Sequence, residues 1–363
     1  MRSIHPRGAL VAALVLACCP MSQAQSPVQD DAIVFGRAVY NPDSTSRASS
    51  LFLVDPEGVG VRTLTPQVDG VFDVGAQWSP SGRFVAFVHS RIGEEGTHIR
   101  LIPRSATQSR ALTREPGEYG DLSWGPGALI AFSASTGTGS CTELIDWRGQ
   151  SRRELFCPSP RTGQPTFVDR ARWSADGMSL YIPASYLLGR IDPIWVSLVY
   201  RVDVATGAAT VLTRQEFFDS QAIAVAPDGG SAVYSRSGLV RVDFDDDTRV
   251  SLGSGDSPVY SHDGTRIAFT RQLFSGPPEF ISHEQVFVMD ADGGNVRQLT
   301  DEPIDRVSYT AAQWSRDGTQ LLVHRTRRPE EGVIGQAEMR IVDVASGAMR
   351  SLAEGNANDW FQR

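Results

Sequence analysis

Cysteine is scarce in this chain. There are four in 363 residues, and Cys18 and Cys19 fall in an apolar N-terminal stretch. Beyond that stretch no Cys-x-x-Cys occurs, so a thiol-based metal or redox motif is missing. No Gly-x-Ser-x-Gly elbow supports a serine nucleophile. No His-Glu-x-x-His occurs, and His283-Glu284 stands alone. No Gly-Lys-Ser or Gly-Lys-Thr is present to cradle a phosphate. Nothing beyond the N-terminal stretch has the periodicity of an amphipathic helix. The chain lacks a basic excess: its net charge is −8. Arginines scattered over an acidic background leave no footprint for nucleic acid, and the charge mainly favours solubility. The 41% hydrophobic content supplies a core, and the length fits one large domain or two ordinary ones.

Residues 1–24 read as a secretory signal. Arg2 and Arg7 form its positive end, and Gly8 to Ala17 is an apolar core too short to span a bilayer. Loss of this segment, which holds two arginines and no acid, takes the charge to about −10. Two exits are open. Ser22-Gln23-Ala24 suits cleavage before Gln25, giving a periplasmic protein. Val15-Leu16-Ala17-Cys18 resembles a lipoprotein box, with an imperfect Leu16, and would anchor the chain in the membrane through Cys18 alone. Residues 25–32 form a linker and 33–363 the folded body. The two cysteines left in that body are Cys141 and Cys157. Thr142 to Asp146 and Arg152 to Phe156 form a hairpin. If Asp146 pairs with Arg152, Cys141 faces Cys157 across the strands, near enough for a disulfide in an oxidising compartment. Two buried free thiols are the alternative.

What the chain has in quantity is one hairpin written repeatedly. Its clearest copy is Gln313-Trp314-Ser315-Arg316-Asp317-Gly318-Thr319-Gln320-Leu321-Leu322-Val323. Siblings begin near Trp78, Trp124, Trp173, Val225 and Tyr260. Each gives a large apolar residue (strand A), a polar turn with Gly, and an apolar run (strand B). A third run like Val286 to Asp290 (strand C) and a fourth like Val296 to Thr300 (strand D) complete a unit. The turns Ser79 to Gly82, Ser174 to Gly177, Ala226 to Gly229 and Ser261 to Gly264 place Gly where a positive φ is required. B strands fall at Ile33, Phe84, Leu129, Leu180, Ala232, Ile267 and Leu321. The first has no A strand before it, whereas Asn358-Asp359-Trp360-Phe361 at the tail has no B strand after it. The expectation is an all-β, seven-bladed β-propeller, roughly 48 residues per blade, closed by the C-terminal strand joining the N-terminal blade. Six blades are the alternative.

Trp78-Ser-Pro-Ser-Gly, Ser-Ala-Asp-Gly after Trp173, and Val288-Met-Asp-Ala-Asp-Gly resemble the β-propeller repeat of the TolB type, which also occurs in the propellers of prolyl-oligopeptidase-like enzymes. The resemblance spans nearly the whole body and implies fold rather than function. The chain departs from TolB in lacking its preceding small α/β domain and in counting seven blades rather than six. It departs from the peptidases in lacking an α/β-hydrolase domain.

The long connections fall between B and C (Gly36 to Ser50, His89 to His98, Ser185 to Trp195, Arg271 to Glu284, Arg325 to Glu338) and between D and A (Pro66 to Gly75, Pro158 to Arg170, Asp301 to Ala311). In an antiparallel blade both emerge on one face, where binding residues concentrate. The short Ser235 to Gly238 connection would leave a notch in that rim. Candidate binding residues are Arg190, Asp192, Trp195, Phe217, Phe218, Phe280, Tyr309 and Arg325, a mixture of aromatics and arginine suited to protein contacts. Gln77, Arg172, Gln313 and Asp359, just before the A-strand aromatics, are candidates for the channel mouth, with edge-strand polarity as the simpler explanation. His89, His98, His283 and His324 map to the loop face, where imidazoles could hold a transition metal as in related propellers of oligosaccharide lyases, but no two share a strand as ligands. Asp243 to Asp247 and Asp290 to Gly293 read as hairpin turns rather than calcium loops.

The sequence therefore points to an exported, non-catalytic propeller, a TolB-like protein-binding or scaffold module of the bacterial envelope. It would be monomeric and without cofactor, with an envelope protein or peptide as partner and no nucleic acid. A carbohydrate-active, lyase-like enzyme working at the channel mouth is the alternative.

Overall fold

Short apolar runs separated by glycine-bearing turns can satisfy their backbone groups only by pairing sideways with the next run. The computed structural model of the chain describes residues 31–41, 46–159, 166–188, 194–213, 217–218, 222–235, 237–275, 281–302, 307–327 and 337–362. Residues 1–24, with Cys18, lie outside them. Among the described residues every regular element is a β-strand.

Val307–Trp314, Gln320–Arg327, Ala337–Asp343 and Met349–Glu354 pair antiparallel in chain order as strands A to D. Asp256–Tyr260 to Arg297–Gln298 forms a second such unit and Ile223–Val225 to Arg249–Gly253 a third. Upstream, the same order recurs inside two larger sheets, each joined by a single parallel bridge, Ser49 to Phe72 and Gly139 to Thr166. Ala32–Tyr40 pairs with Ser46–Val54 on one side and with Asn356–Phe361 on the other, Ile33 opposite Trp360. Pairing begins at Ala32, opposite Phe361, one residue earlier than the linker boundary drawn from sequence.

The last large residue of each A strand lies opposite an early apolar residue of its B strand. The pairs are Trp78 with Val85, Trp124 with Ile130, Trp173 with Leu180, Val225 with Ala232, Tyr260 with Ile267, Trp314 with Leu321 and Trp360 with Ile33. Both faces of each sheet are apolar, and the clusters they form lie between consecutive units. Tyr181 and Val199 pack on Val225, Ala232 and Tyr234. Val286, Val288 and Leu299 pack on Val307, Tyr309 and Trp314. Ile33, Phe35 and Phe52 pack on Leu322, Met339 and Ile341, so the first unit is covered by the last. Two indoles also reach back one unit: Trp173 Nε1 donates to the Ser123 carbonyl at 3.0 Å and Trp314 Nε1 to that of Val259 at 2.9 Å.

Polar devices recur with the strands. In the A–B turns Ser174, Ser261 and Ser315 donate to Asp176, Asp263 and Asp317 at 2.6–2.7 Å. The following glycines have positive φ. Gly229 is constrained for a further reason, because a Cβ there would fall 1.9 Å from the Tyr181 hydroxyl of the preceding unit and force that side chain to move. At the end of strand D, the hydroxyls of Thr65, Thr113 and Thr300 accept from C-strand amides at 2.9–3.1 Å. Two residues before the D-strand leucine, an arginine reaches the C–D turn of the next unit. Arg62 donates to the Arg104 carbonyl, Arg110 to Arg148, Arg153 to Val204, Arg297 to Ala345 and Arg350 to Pro56.

Cys141 and Cys157 form a disulfide, with Cα atoms 4.4 Å apart. The register that joins them is not the uniform one expected. Ile145 faces Arg152 and Glu143 faces Glu154, one step away from pairing Asp146 with Arg152. A bulge between Thr142 and Glu143 absorbs the extra residue and sets Thr142 opposite Phe156, so the cysteines meet. The disulfide closes a loop with a sequence separation of 16, which is worth about 3 kcal/mol. Cys157→Ser is expected to lower unfolding stability by about that amount in denaturant titration, and a non-reducing peptide map should recover the two cysteines as one linked species.

Candidate functional site

Because strands run up and down, B–C and D–A connections leave by one face and the short A–B and C–D turns by the other. The B and C strands are ten residues long in Ser179–Leu188 with Ile194–Asp203, and in Arg266–Ser275 with Ile281–Asp290. Between these units, Ser231–Ser235 with Leu239–Asp243 has five. Five residues fewer at a strand rise of ~3.4 Å leave a step of roughly 17 Å. The step holds a cavity of about 410 Å³.

Its floor is Ser235, Ser254 and Asp256, and its wall is Thr270, Gln272, Phe274 and Glu284 of the tall hairpin. Phe274 is 65% exposed. Thr270 is 4% exposed, and its hydroxyl has no hydrogen-bond partner among the described residues. A buried hydroxyl left without a partner is costly, and one lining a cavity offers a bond to whatever enters. Arg271 steadies the wall: its Nε donates to the Ser254 carbonyl at 3.0 Å, and its guanidinium lies over the Phe287 ring at 4.6 Å. Among the described residues the lining has two carboxylates, Asp256 and Glu284, and no basic side chain, and these residues suit a cationic group.

On the far side of the step, Trp195 is 44% exposed and meets Phe167 edge-on at 6.2 Å. The Phe217–Phe218 strand pairs with Val196 and Ser197. Arg190, Asp192 and Phe280 lie outside the described residues. Tyr309 and Arg325 do not belong to an open binding face, which corrects the sequence expectation. The strands run further than the loop boundaries drawn from sequence, so the two residues pair with each other. Tyr309 is fully buried, and its hydroxyl donates to Glu302. Arg325 grips Glu302 through Nε at 2.9 Å and Nη2 at 2.6 Å. Arg325, the Tyr309 hydroxyl and the Arg340 charge hold the Glu302 carboxyl down at about 2, while burial and Glu302 push the Tyr309 phenol up to about 12.

Three of the channel candidates do meet. Asp359 accepts from the Trp78 amide at 2.7 Å and from Gln313 Nε2 at 3.2 Å; Gln313 Oε1 accepts from the Trp360 amide at 2.9 Å; and Gln77 reaches the Asn358 carbonyl at 3.4 Å. They stitch three A strands together. They sit where those strands run into A–B turns, on the side away from the long connections. Burial pushes the Asp359 carboxyl upward. Arg172 stands apart, within the electrostatic reach of Asp228 and Tyr260. Sequence reading missed Asp121 and Asp169. Desolvation and the Asp121 charge raise the Asp169 carboxyl to about 6, a value at which it can exchange a proton near neutrality. Nothing in the local spacing of the two residues signals this, because they belong to successive units.

The histidines do not gather. His89 Nδ1 is 2.6 Å from Asp73, and His98 faces His89 across the strands but turns to Thr113 at 3.4 Å. His324 Nε2 accepts from the Ala357 amide at 2.9 Å, and His283 lies in another unit, opposite Leu273. Among the described residues the sole metal-sized grouping is Cys141, Glu154 and Cys157, whose sulfurs are joined to each other. Asp243 to Asp247 is a hairpin turn whose carboxylates accept from its own backbone.

No protein-family model and no curated protein matches the chain. Solved structures do. TolB from Acinetobacter baumannii is 18% identical over 91% of this chain and 66% of its own, with a TM-score of 0.51. A puromycin-hydrolyzing peptidase of Mycobacterium tuberculosis is 13% identical over 90% of this chain and 52% of its own, at 0.61. An oligogalacturonate lyase from Vibrio parahaemolyticus is 11% identical over 90% of this chain and 86% of its own, at 0.57. The chain thus has a TolB-like propeller fold, and it spans about two thirds of the TolB length and half that of the peptidase.

His324 makes the contact between the last unit and the tail strand pH-sensitive. Burial depresses its pKa, and its acceptor role requires the neutral ring. The folded state then binds fewer protons than the unfolded one. This contribution is therefore complete above about pH 6.5 and is lost as the pH falls below it. His262, depressed by burial and by the charges of Arg172 and Arg316, acts in the same direction. Chemical denaturation across this range should show stability falling with acid, with a shallower slope in His324→Asn.

Proposed function

We propose that this chain is an exported, seven-bladed β-propeller that binds an envelope protein or peptide on the face of its long connections, without chemistry of its own. The observation that carries the reading is the uneven rim, with a cavity of about 410 Å³ set between two ten-residue hairpins. Asp256, Glu284 and the exposed Phe274 favour a segment that carries a basic side chain beside an apolar one. The ring is supported by the seven A-to-B pairings, by apolar clusters between consecutive units including last and first, and by the Arg350 bond to Pro56. A six-bladed count would leave one of those pairings unassigned. Export rests on residues 1–24, with release before Gln25 or lipidation at Cys18 as its two outcomes. The chain would act as a monomer.

One observation favours a second reading, a carbohydrate-active enzyme. The Asp169 carboxyl, raised to about 6 beside Asp121, is the sort of group that acts in acid–base catalysis, and the lyase from Vibrio parahaemolyticus shares the fold over most of both chains. The two readings separate cleanly. A partner captured from envelope extract and then purified should bind at least about tenfold more weakly to Phe274→Ala and to Asp256→Asn/Glu284→Gln, with Asp169→Asn unchanged. Cleavage of an oligouronide that is abolished by Asp169→Asn and retained by the Phe274 variant would replace the binding reading with the enzymatic one.

A further inference from the structure

We infer that a second cavity, on the turn face and independent of the notch, is a binding site for a small polyanion carrying several carboxylate or phosphate groups. The chain has 42 acidic residues against 34 basic ones, and every basic one is arginine. Against that background the cavity, of about 1000 Å³, is lined by Arg62, Arg83, Arg104 and Arg316 and, among the described residues, by no carboxylate. The acids lie next door. An adjoining cavity of about 650 Å³ shares Arg316 and Gln362 and brings in Asp31, Glu57 and Asp317. That neighbour also holds Arg350, so both signs are mixed there, whereas the described lining of the larger cavity carries charge of one sign.

The four arginines come from three units. Arg62 is the strand-D arginine of the first, Arg83 and Arg104 belong to the A–B and C–D turns of the second, and Arg316 to the A–B turn of the last. Two are held in place. Arg62 donates to the Arg104 carbonyl, and the Arg104 guanidinium lies over the Trp78 ring at 5.4 Å. Burial and the nearby Arg104 charge push the Arg62 pKa down, a repulsion that a bound anion would relieve. Ser81 and Ser105 add hydroxyl donors, and Phe84 and Phe361 add apolar surface. The Phe361 ring seats directly on Gly82, where a Cβ would approach it to 2.4 Å. Guanidinium forks over an apolar floor recognise oxyanions in pairs of hydrogen bonds, which a point charge does not reproduce.

The test is calorimetric titration of the intact body with tripolyphosphate and, separately, with citrate at low ionic strength. One saturable site per chain is expected, weakening as salt rises. Arg83→Ala and Arg316→Ala, both at exposed turn positions, should each raise Kd about tenfold. Arg83→Lys should recover only part of the loss. Arg297→Ala, outside the cavity, and Phe274→Ala, in the notch, should leave Kd unchanged. Binding of tripolyphosphate alone assigns a phosphorylated ligand and of citrate alone a carboxylated one. Absence of saturable binding for both, or equal weakening by Arg297→Ala, overturns the proposal.

Discussion

A sheet that is apolar on both faces cannot be covered by its own strands, so every unit of this chain depends on the unit before and the unit after it. That dependence concentrates at the end of strand A. Trp314, buried to 1% exposure, fills the space between its own unit and the preceding one and donates its indole proton to the A strand of that unit. Truncation of such a side chain to alanine removes about 3–5 kcal/mol, a large share of the stability of any domain. A stack of two-faced sheets has two ends, and each end exposes an apolar face and an unpaired strand. Here the first sheet and the last are packed on each other, and the tail strand lies beside the first B strand. In the ring we propose, no end is left over.

Arginine carries much of the remaining load between units. The chain has no lysine, and the distribution of its guanidinium groups suggests why. A D-strand arginine must reach across a gap and donate to a carbonyl, as Arg350 does twice to Pro56. Others lie over the rings of buried aromatics, Arg266 over Trp314 at 5.1 Å and Arg37 over Phe52 at 4.8 Å. A planar group with several fixed donors can stack and donate together, whereas an ammonium cannot.

The architecture was legible because it depends on local signals repeated many times: the Trp, the Ser-x-Asp-Gly turn, and apolar runs of strand length. The notch was legible too, since Ser235 to Gly238 is short where its neighbours are long. Loop ends were not. Periodicity cannot say where a hairpin stops pairing once its residues turn polar, so Tyr309 and Arg325 read as loop and proved to be strand. The bulge that brings Cys141 to Cys157 is a one-residue event with no composition of its own. The Asp121–Asp169 pair and the arginine cavity were out of reach for a different reason: each is assembled from several units, and sequence distance carries no information about it. The spacing of arginine two residues before the D-strand leucine, by contrast, is plainly repeated in Arg62, Arg110, Arg153, Arg297 and Arg350, and would have pointed to the clasp between units.

The two faces also differ in how freely they can change. On the turn face the same short connections do structural work: Gly229 must admit Tyr181, and Gly207 sits so close to the Leu155 carbonyl that a Cβ would approach it to 2.8 Å. Residues there answer to the neighbouring unit before they answer to any ligand, so a site on that face must be made from side chains that point past the clasp, as Arg83 and Arg316 do at exposed turn positions. On the loop face such close approaches sit at the base of the connections, as at Gly355, where a Cβ would come within 2.7 Å of the Gly36 carbonyl. Strands Arg266–Ser275 and Ile281–Asp290 stay paired along their whole length, so hairpin height can vary from unit to unit while the stacked core beneath keeps its register. Recognition that depends on the shape of the rim, as the step beside Phe274 does, can therefore be altered without disturbing the packing that holds the units together.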